Sequence, residues 1–171
     1  MGEVNSGKTQ KTLQVLRELL ECREEPMAVL DLAPEKVQGV GGKILLSPGE
    51  KERIFYLAPR IVAPRLSAKS EEEIETLAQE NAQQVDEFLG ILTQRIWQTL
   101  IINDVSLYLH ARKAGQLMEA ITAIPTLVMN GYYGSYFGMS PFSLRERERM
   151  EILISLCDQA FYVPAGTPPT R

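Results

Sequence analysis

Three short runs of mostly apolar residues constrain the fold of this chain more than any other feature of its sequence. They cover residues 27–32, 99–104 and 125–130. Each run is too short for a buried helix and is bounded by turn-forming or polar residues, which is typical of a strand buried on both faces. Stretches with helical spacing of apolar residues separate the runs. This alternation predicts an α/β fold: a three-layer, mostly parallel sheet with helices on both faces.

Helical spacing and capping signals predict the remaining elements. We expect helices over 9–24, 70–98, 106–122 and 143–158, two of them opened by capping boxes at Ser70–Glu73 and Ser143–Glu146. A β-hairpin insertion is expected from strands 43–46 and 54–57 around the turn-rich segment 47–50, with a last strand at 160–163. Residues 1–164 are predicted to form a single domain, and 165–171 a loose C-terminal tail.

The segment Gly2–Thr9, GEVNSGKT, matches the phosphate-binding pattern G-x-x-x-x-G-K-[ST]. Such a loop surrounds phosphates with backbone N–H groups, and the dipole of the following helix favours the negative charge. Lys8 would place its ammonium on the β- and γ-phosphates, and Thr9 would offer its hydroxyl to Mg²⁺. The motif therefore predicts a nucleotide site made by Gly2, Glu3, Val4, Asn5, Ser6, Gly7, Lys8 and Thr9.

A phosphate loop normally follows a buried strand, whereas a single residue precedes Gly2 in this sequence. We therefore expect a genuine nucleotide loop on a chain that begins too late, with a slot in the sheet where the missing strand would lie. Such a loop is expected to be held less firmly, and to bind nucleotide less tightly, than the loop of a chain extended upstream by an apolar strand.

Two acids at the ends of apolar strands are candidates for chemistry beside the triphosphate, so that Lys8, Asp104 and Asp31 are the predicted catalytic residues. By the order of elements Asp104 is the better magnesium partner, together with Thr9. Asp31, one strand away, would act as a base or contact the substrate. The structural alternative for Asp104 is an acid that caps the next helix.

Asn130 ends the third apolar run and leads into a loop rich in glycine and tyrosine, GYYGSYFG at 131–138. Ligands collect beyond the carboxyl ends of parallel strands, so Asn130 and the loop tyrosines could reach a nucleotide base or a second substrate. The alternative is a surface loop packed on its own domain, or a subunit contact. Arg65 is a spare cation, His110 is expected to be solvated or half-buried, and the charged run 145–152 is interpreted as a solvated helix face.

The phosphate loop, the strand-ending Asp104 and the order of elements resemble the P-loop NTPase superfamily, in its RecA-like branch. Within that branch the layout is similar to that of corrinoid adenosyltransferases. The resemblance implies that Lys8 and Thr9 hold a triphosphate and Mg²⁺, and that Asp104 is the metal-linked acid. Adenosyltransferases usually have a glutamate after that acid, where this chain has Val105.

Composition narrows the range of partners. The formal net charge of −4 does not attract a polyanion, so nucleic acid is not an expected partner. No apolar run approaches the ~18 residues of a spanning helix, so we expect a cytoplasmic protein with no membrane contact. The sequence shows no guanine signature of the N-K-x-D type, which favours ATP over GTP.

Several functions stay open at this level. The protein could hydrolyse a nucleoside triphosphate or transfer a group from it, as a P-loop NTPase or as an enzyme like the corrinoid adenosyltransferases. It could instead be a slow nucleotide-dependent switch or assembly module. The sequence also leaves open the second substrate or protein partner, and whether identical chains form a homo-oligomer.

Overall fold

A computed structural model of the protein describes residues 1–37 and 39–164, so the predicted tail at 165–171 lies outside the described residues. Strands alternate with helices along the chain. The strands are β1 (Met27–Asp31), β2 (Phe55–Leu57), β3 (Thr99–Asn103) and β4 (Thr126–Met129). The helices are α1 (Lys8–Cys22), α2 (Pro48–Glu52), α3 (Pro64–Ser67), α4 (Glu71–Leu92), α5 (Ser106–Leu109), α6 (Ala114–Ile121) and α7 (Pro141–Ser155).

The four strands form one sheet that is parallel throughout, in the order β2-β1-β3-β4. The two central strands, β1 and β3, are buried at every position, and they pair in register from Met27–Thr99 to Asp31–Asn103. Burial on both faces explains why these strands are almost continuously apolar instead of alternating. The α/β class and the parallel sheet predicted from the apolar runs are therefore confirmed.

Side chains of β1 point alternately into two apolar clusters, as the two-residue period of a strand requires. Ala28 and Leu30 pack in a cluster with residues of α4, α6 and α7, whereas Met27 and Val29 pack in another with residues of α1. The apolar stripe of α1 is therefore held against β1 and β3. This packing places the first turn of α1 near the carboxyl ends of those strands.

The predicted β-hairpin insertion is wrong. β2 pairs with β1 in the parallel direction, and residues 43–46 form no strand. Ser47 accepts a hydrogen bond from the Glu50 N–H, and the Glu50 carboxylate accepts one from the Ser47 N–H, so Pro48 is the first residue of α2. A serine followed by proline and an acid is compatible with a helix start as well as with a turn. The short helix α2 lies in the crossover connection between the parallel strands β1 and β2.

Serine caps decide where two of the longer helices begin. Ser70 caps α4 by accepting a hydrogen bond from the Glu73 N–H, as predicted. The predicted start at Ser143 is wrong, because Ser140 accepts a hydrogen bond from the Ser143 N–H and Pro141 is the first residue of α7. Proline suits the first helical position, where its missing N–H costs no hydrogen bond.

Two helices end or divide earlier than their apolar spacing predicts. α4 ends at Leu92 instead of 98, and the Trp97 indole N–H donates to the Leu92 carbonyl at 2.9 Å. The predicted helix 106–122 is divided into α5 and α6. At that break the Arg149 side chain of α7 donates to the carbonyl oxygens of Leu109 and His110. These two carbonyls therefore accept hydrogen bonds from another helix instead of from the next turn of their own.

Residues 160–163 do not form the predicted strand. Gly2 makes isolated parallel bridges to Tyr132 and to Val163. The Met1 ammonium donates to the Phe161 carbonyl at 2.9 Å, and the Val163 N–H donates to the Met1 carbonyl at 2.8 Å. Residues 1–2 therefore form a very short extended segment between the chain that follows β4 and residues 161–163.

β4 is less buried than the central strands, since each of its residues is partly exposed. Phe161 and Tyr162 are also exposed, at 72% and 52%. Within the described part of the chain no strand pairs with the outer edge of β4. Over the same residues, no helix is both long enough and apolar enough to cross a membrane.

Candidate functional site

Residues 2–9 form a loop that leads directly into α1. Asn5 and Gly7 have positive φ angles of 56° and 87°, and Gly7 is the residue that precedes the first helical turn. Glycine adopts this left-handed conformation without the strain that a Cβ atom causes. The first amides of α1 have no acceptor within the helix, which is the usual origin of an anion site at a helix start.

A pocket of about 630 Å³ opens in front of this loop. Small-molecule sites typically measure about 300–1,000 Å³, so the pocket is large enough for a nucleotide. Val4–Thr9 line one side of it, and Asp104 and Asn130, at the carboxyl ends of β3 and β4, line another. Three predicted site residues, Gly2, Glu3 and Asp31, are not among the residues that line it.

Lys8 is folded back onto its own loop. Its ammonium nitrogen donates to the Glu3 carbonyl at 2.5 Å. Burial lowers the pKa of the Lys8 ammonium, while the charges of Asp104 and Glu3 act in the opposite direction. A half-buried cation with one loop carbonyl as its partner can exchange that partner for a phosphate oxygen at little cost in solvation.

Asp104 faces the pocket from the residue just after β3. Its backbone is left-handed, with φ 62°, and its N–H donates to the Asn130 side-chain oxygen at 3.1 Å. Ser106 donates to one oxygen of the Asp104 carboxylate at 2.8 Å. Burial raises the pKa of the Asp104 carboxyl above its ordinary value, against the effects of Ser106 and of the Lys8 charge. The structure therefore brings Lys8 and Asp104 to the same pocket, as expected.

The residue that contacts Thr9 is Asn103, which sequence reasoning missed. The Thr9 hydroxyl donates to the Asn103 side-chain oxygen at 3.2 Å, and the Asn130 amide donates to the same oxygen at 2.7 Å. Asn130 also donates to the Thr12 hydroxyl at 2.7 Å. These amides join the phosphate loop helix to the ends of β3 and β4. Their only sequence signal is the pair of asparagines that close two apolar strands.

Asp31 is fully buried and binds four donors behind the pocket. Its carboxylate accepts hydrogen bonds from the Ile44 N–H, the Tyr56 hydroxyl and the Asn103 amide, each at 2.7 Å, and from the Ala33 N–H at 3.2 Å. These contacts hold the chain between β1 and β2 against the sheet. Four bound donors give Asp31 a structural function, and its predicted catalytic role has no support from the pocket.

Arg65, His110 and Glu146 form a buried ion cluster in the wall of the pocket. Arg65 and His110 both bond to the Glu146 carboxylate, His110 through Nε2 at 2.8 Å. Burial raises the pKa of Glu146, but His110 and Arg65 lower it more, so the net direction is downward. The expectations of a half-buried His110 and of a solvated face along 145–152 are therefore wrong at His110 and Glu146.

Aromatic rings surround the cation of this cluster. The Arg65 guanidinium lies 4.5 Å from the ring centre of Phe137, 5.2 Å from that of Phe142 and 5.6 Å from that of Tyr132. The rings shield it from solvent and attract it by cation–π interaction. No sequence pattern identifies this group, because Arg65 and Glu146 are 81 residues apart.

The residues present fit a magnesium ion that accompanies a triphosphate. Such an ion is usually held by one or two protein oxygens together with phosphate oxygens and water, and not by a cage of protein ligands. Thr9 and Asp104 supply a hydroxyl and a carboxylate at the same pocket. Among the described residues, no three His, Cys, Asp or Glu side chains converge as a metal cage. A hydroxyl and a carboxylate would suit an ion that shares its remaining ligands with a bound substrate.

Comparison with known proteins assigns no family to the chain. No model of a known protein family matches the chain, and no curated protein sequence matches it.

Proposed function

We propose that this protein binds a nucleoside triphosphate with Mg²⁺ and cleaves the triphosphate by hydrolysis or group transfer. The observation that carries the proposal is the pocket itself, which is lined by Val4–Thr9 on one side and by Asp104 on another. A G-x-x-x-x-G-K-T segment that opens a helix at a pocket edge has the context that phosphate binding requires. ATP is the preferred nucleotide because the sequence shows no guanine signature.

Each part of the loop has a physical role in this proposal. The first amides of α1 and the loop backbone donate to phosphate oxygens, and the helix dipole favours their charge. Lys8 leaves the Glu3 carbonyl and binds the β- and γ-phosphates. Thr9 and Asp104 would hold Mg²⁺, and the ion would supply positive charge next to the phosphate oxygens. Asn103 orients the Thr9 hydroxyl.

The fold supports placement among P-loop proteins. Alternate residues of β1 pack into two apolar clusters, and this supports a three-layer arrangement with helices on both faces of the sheet. We extend the proposal to the RecA-like branch of the P-loop NTPases, and to an adenosyltransferase-like transfer as one form of the reaction. In this view the extended residues 1–2, bridged through Gly2 to Tyr132 and Val163, take the position of the strand that usually precedes such a loop.

A slow nucleotide-dependent switch is the second candidate, and Val105 favours it. Val105 is 1% exposed and follows Asp104, so that position carries no carboxylate to activate a water molecule. An unassisted switch turns over at no more than about 10⁻² s⁻¹. A faster steady-state rate of the isolated protein would exclude the switch and favour the enzyme.

Binding is tested by calorimetry with MgATP and MgGTP on the wild-type protein, Lys8→Ala and Lys11→Ala. Lys11 is an exposed lysine of the same helix and serves as the matched control. Removing a charged hydrogen bond to phosphate is expected to weaken binding about 100-fold in Lys8→Ala. Lys11→Ala is expected to bind as the wild type does. No binding by the wild type, or equal binding by the two variants, would overturn the proposal.

A further inference from the structure

The glycine- and tyrosine-rich segment 131–138, here called the aromatic loop, forms part of the pocket wall. Tyr132 and Phe137 line the pocket, and their rings meet edge to face at 5.2 Å. Both rings also lie against the Arg65 guanidinium. The aromatic loop therefore shapes part of the pocket together with Arg65.

Glu3, inside the phosphate loop, binds this aromatic loop through its carboxylate. Ser135 donates to one carboxylate oxygen twice, from its N–H at 2.5 Å and from its hydroxyl at 3.1 Å. The Val4 N–H donates to the other oxygen at 3.3 Å. Burial raises the pKa of Glu3, but these bonds and one from the Tyr136 N–H lower it to a net downward shift. A group of N–H donors around one carboxylate is an anion-binding arrangement.

Gly134 makes room for this contact. A Cβ atom on Gly134 would overlap the Glu3 carboxylate, so a larger residue there would displace it. One residue earlier, the Tyr133 N–H donates to the Gly2 carbonyl at 3.0 Å. The first residues of the phosphate loop and the middle of the aromatic loop are thus joined by both backbone and side-chain bonds.

Glu3 also contacts the group that binds phosphate, because its carbonyl accepts the hydrogen bond from Lys8. One residue therefore touches the Lys8 ammonium with its backbone and the aromatic loop with its side chain. We propose that Glu3 is a positioning residue that ties the aromatic loop to the phosphate loop, so that nucleotide binding orders the pocket wall for a second substrate.

This inference rests on the proposed nucleotide site, and it assigns the aromatic loop to the second ligand. When Lys8 exchanges the Glu3 carbonyl for phosphate oxygens, the phosphate loop becomes fixed by its ligand. Because the Glu3 carboxylate is bonded to Ser135, fixing the phosphate loop also restricts the motion of the aromatic loop that carries Tyr132 and Phe137. A wall that nucleotide binding orders further would make the two substrates bind cooperatively, because the second substrate would then lose less conformational entropy on binding.

Limited digestion with chymotrypsin, which cuts after aromatic residues, measures the order of this loop. Cleavage after Tyr136 and Phe137 is followed by mass spectrometry in the wild-type protein, Glu3→Ala and Gly134→Ala, without nucleotide and with saturating MgATP. Glu119→Gln and Gly115→Ala, both at exposed positions of α6, are the matched controls. Calorimetry run in parallel establishes how much nucleotide each variant binds.

Without nucleotide, Glu3→Ala and Gly134→Ala are expected to be cut at least about fivefold faster than the wild type, the factor by which one net hydrogen bond changes a local opening equilibrium. At nucleotide concentrations that calorimetry shows to be saturating for each protein, MgATP is expected to protect the wild type and both controls, but neither Glu3→Ala nor Gly134→Ala. Equal cleavage of variants and wild type without nucleotide would overturn the proposal, as would full MgATP protection of the variants. The cleavage rates without nucleotide do not depend on the proposed nucleotide site. Calorimetry detects a failure of nucleotide binding, so a failure of the proposed function is distinguished from a failure of this inference.

Discussion

Glu146→Gln removes one charge from the buried ion cluster without changing the size of the side chain. The side chains of Arg65 and Glu146 are only 10% and 4% exposed, so the remaining guanidinium would keep its burial and lose its counter-ion. Removing one partner of a buried ion pair typically costs about 3–5 kcal/mol. For a protein of this size each kcal/mol shifts Tm by about 2–4 °C, so we expect a loss of about 6–20 °C.

Urea unfolding of Glu146→Gln against Glu148→Gln measures this cost. Glu148 is an exposed residue of the same helix, α7, and its substitution is expected to change the free energy of unfolding by less than about 0.5 kcal/mol. Equal slopes of the two transitions would show that only stability has changed. If Glu146→Gln costs less than about 1 kcal/mol, the cluster is not desolvated as its burial indicates, and the reasoning is refuted.

The contribution of Glu146 to the free energy of unfolding should also depend on pH, in a direction set by its pKa shift. The pKa of Glu146 is lowered in the folded protein, so its contribution to stability is fully present above the pKa of an unfolded glutamate, about 4.3. It is lost as pH falls through the lowered value. The difference in stability between the wild type and Glu146→Gln should therefore shrink as pH falls below about 4.3. A difference that grows on acidification would contradict this assignment.

Two further predictions concern the pocket and the sheet. Because burial raises the pKa of Asp104 above that of an ordinary aspartate, Mg²⁺-dependent kcat/KM should rise with pH as the Asp104 carboxyl loses its proton. Asp104→Asn should remove that rise from any activity that remains, and an unchanged rise would assign it to another group. An engineered extension of five β-branched residues joined to Met1 should pair with the half-buried β4 and stabilise the protein by about 2 kcal/mol or more, whereas a Gly/Ser extension should not. Equal Tm values for the two extended proteins would show that this edge accepts no strand.

Local pattern was sufficient for the central sheet and for the phosphate loop. A short, uninterrupted apolar run has few alternatives to a doubly buried strand, which is why β1, β3 and β4 were predicted within one or two residues. Glycine spacing and the following apolar stripe likewise placed 2–9 at the start of α1. These features depend on residues close together in sequence, so their physical cause is visible there.

Predictions failed where one local signal fits two structures. The segment around Ser47 and Pro48 suits a turn or a helix start, and the choice depends on where β2 can pair. The Ile44 N–H donates to the Asp31 carboxylate instead of to a neighbouring strand. Residues 43–46 are therefore held by a side chain and do not pair in a sheet. Distant partners also divided the helix after Ser106, since Arg149 binds the carbonyls of Leu109 and His110.

The sequence by itself determined an α/β chain with a parallel sheet and a loop of phosphate-binding composition, because periodicity and glycine spacing act over a few residues. Only the tertiary structure decided which side chains meet. It placed Asn103 against Thr9, made Asp31 a bound structural acid, and joined Arg65, His110 and Glu146 across long stretches of chain. It also showed that the side chain of Glu3, predicted from the motif as part of the nucleotide site, binds the aromatic loop. Such contacts arise from packing of distant elements, and no local pattern encodes them.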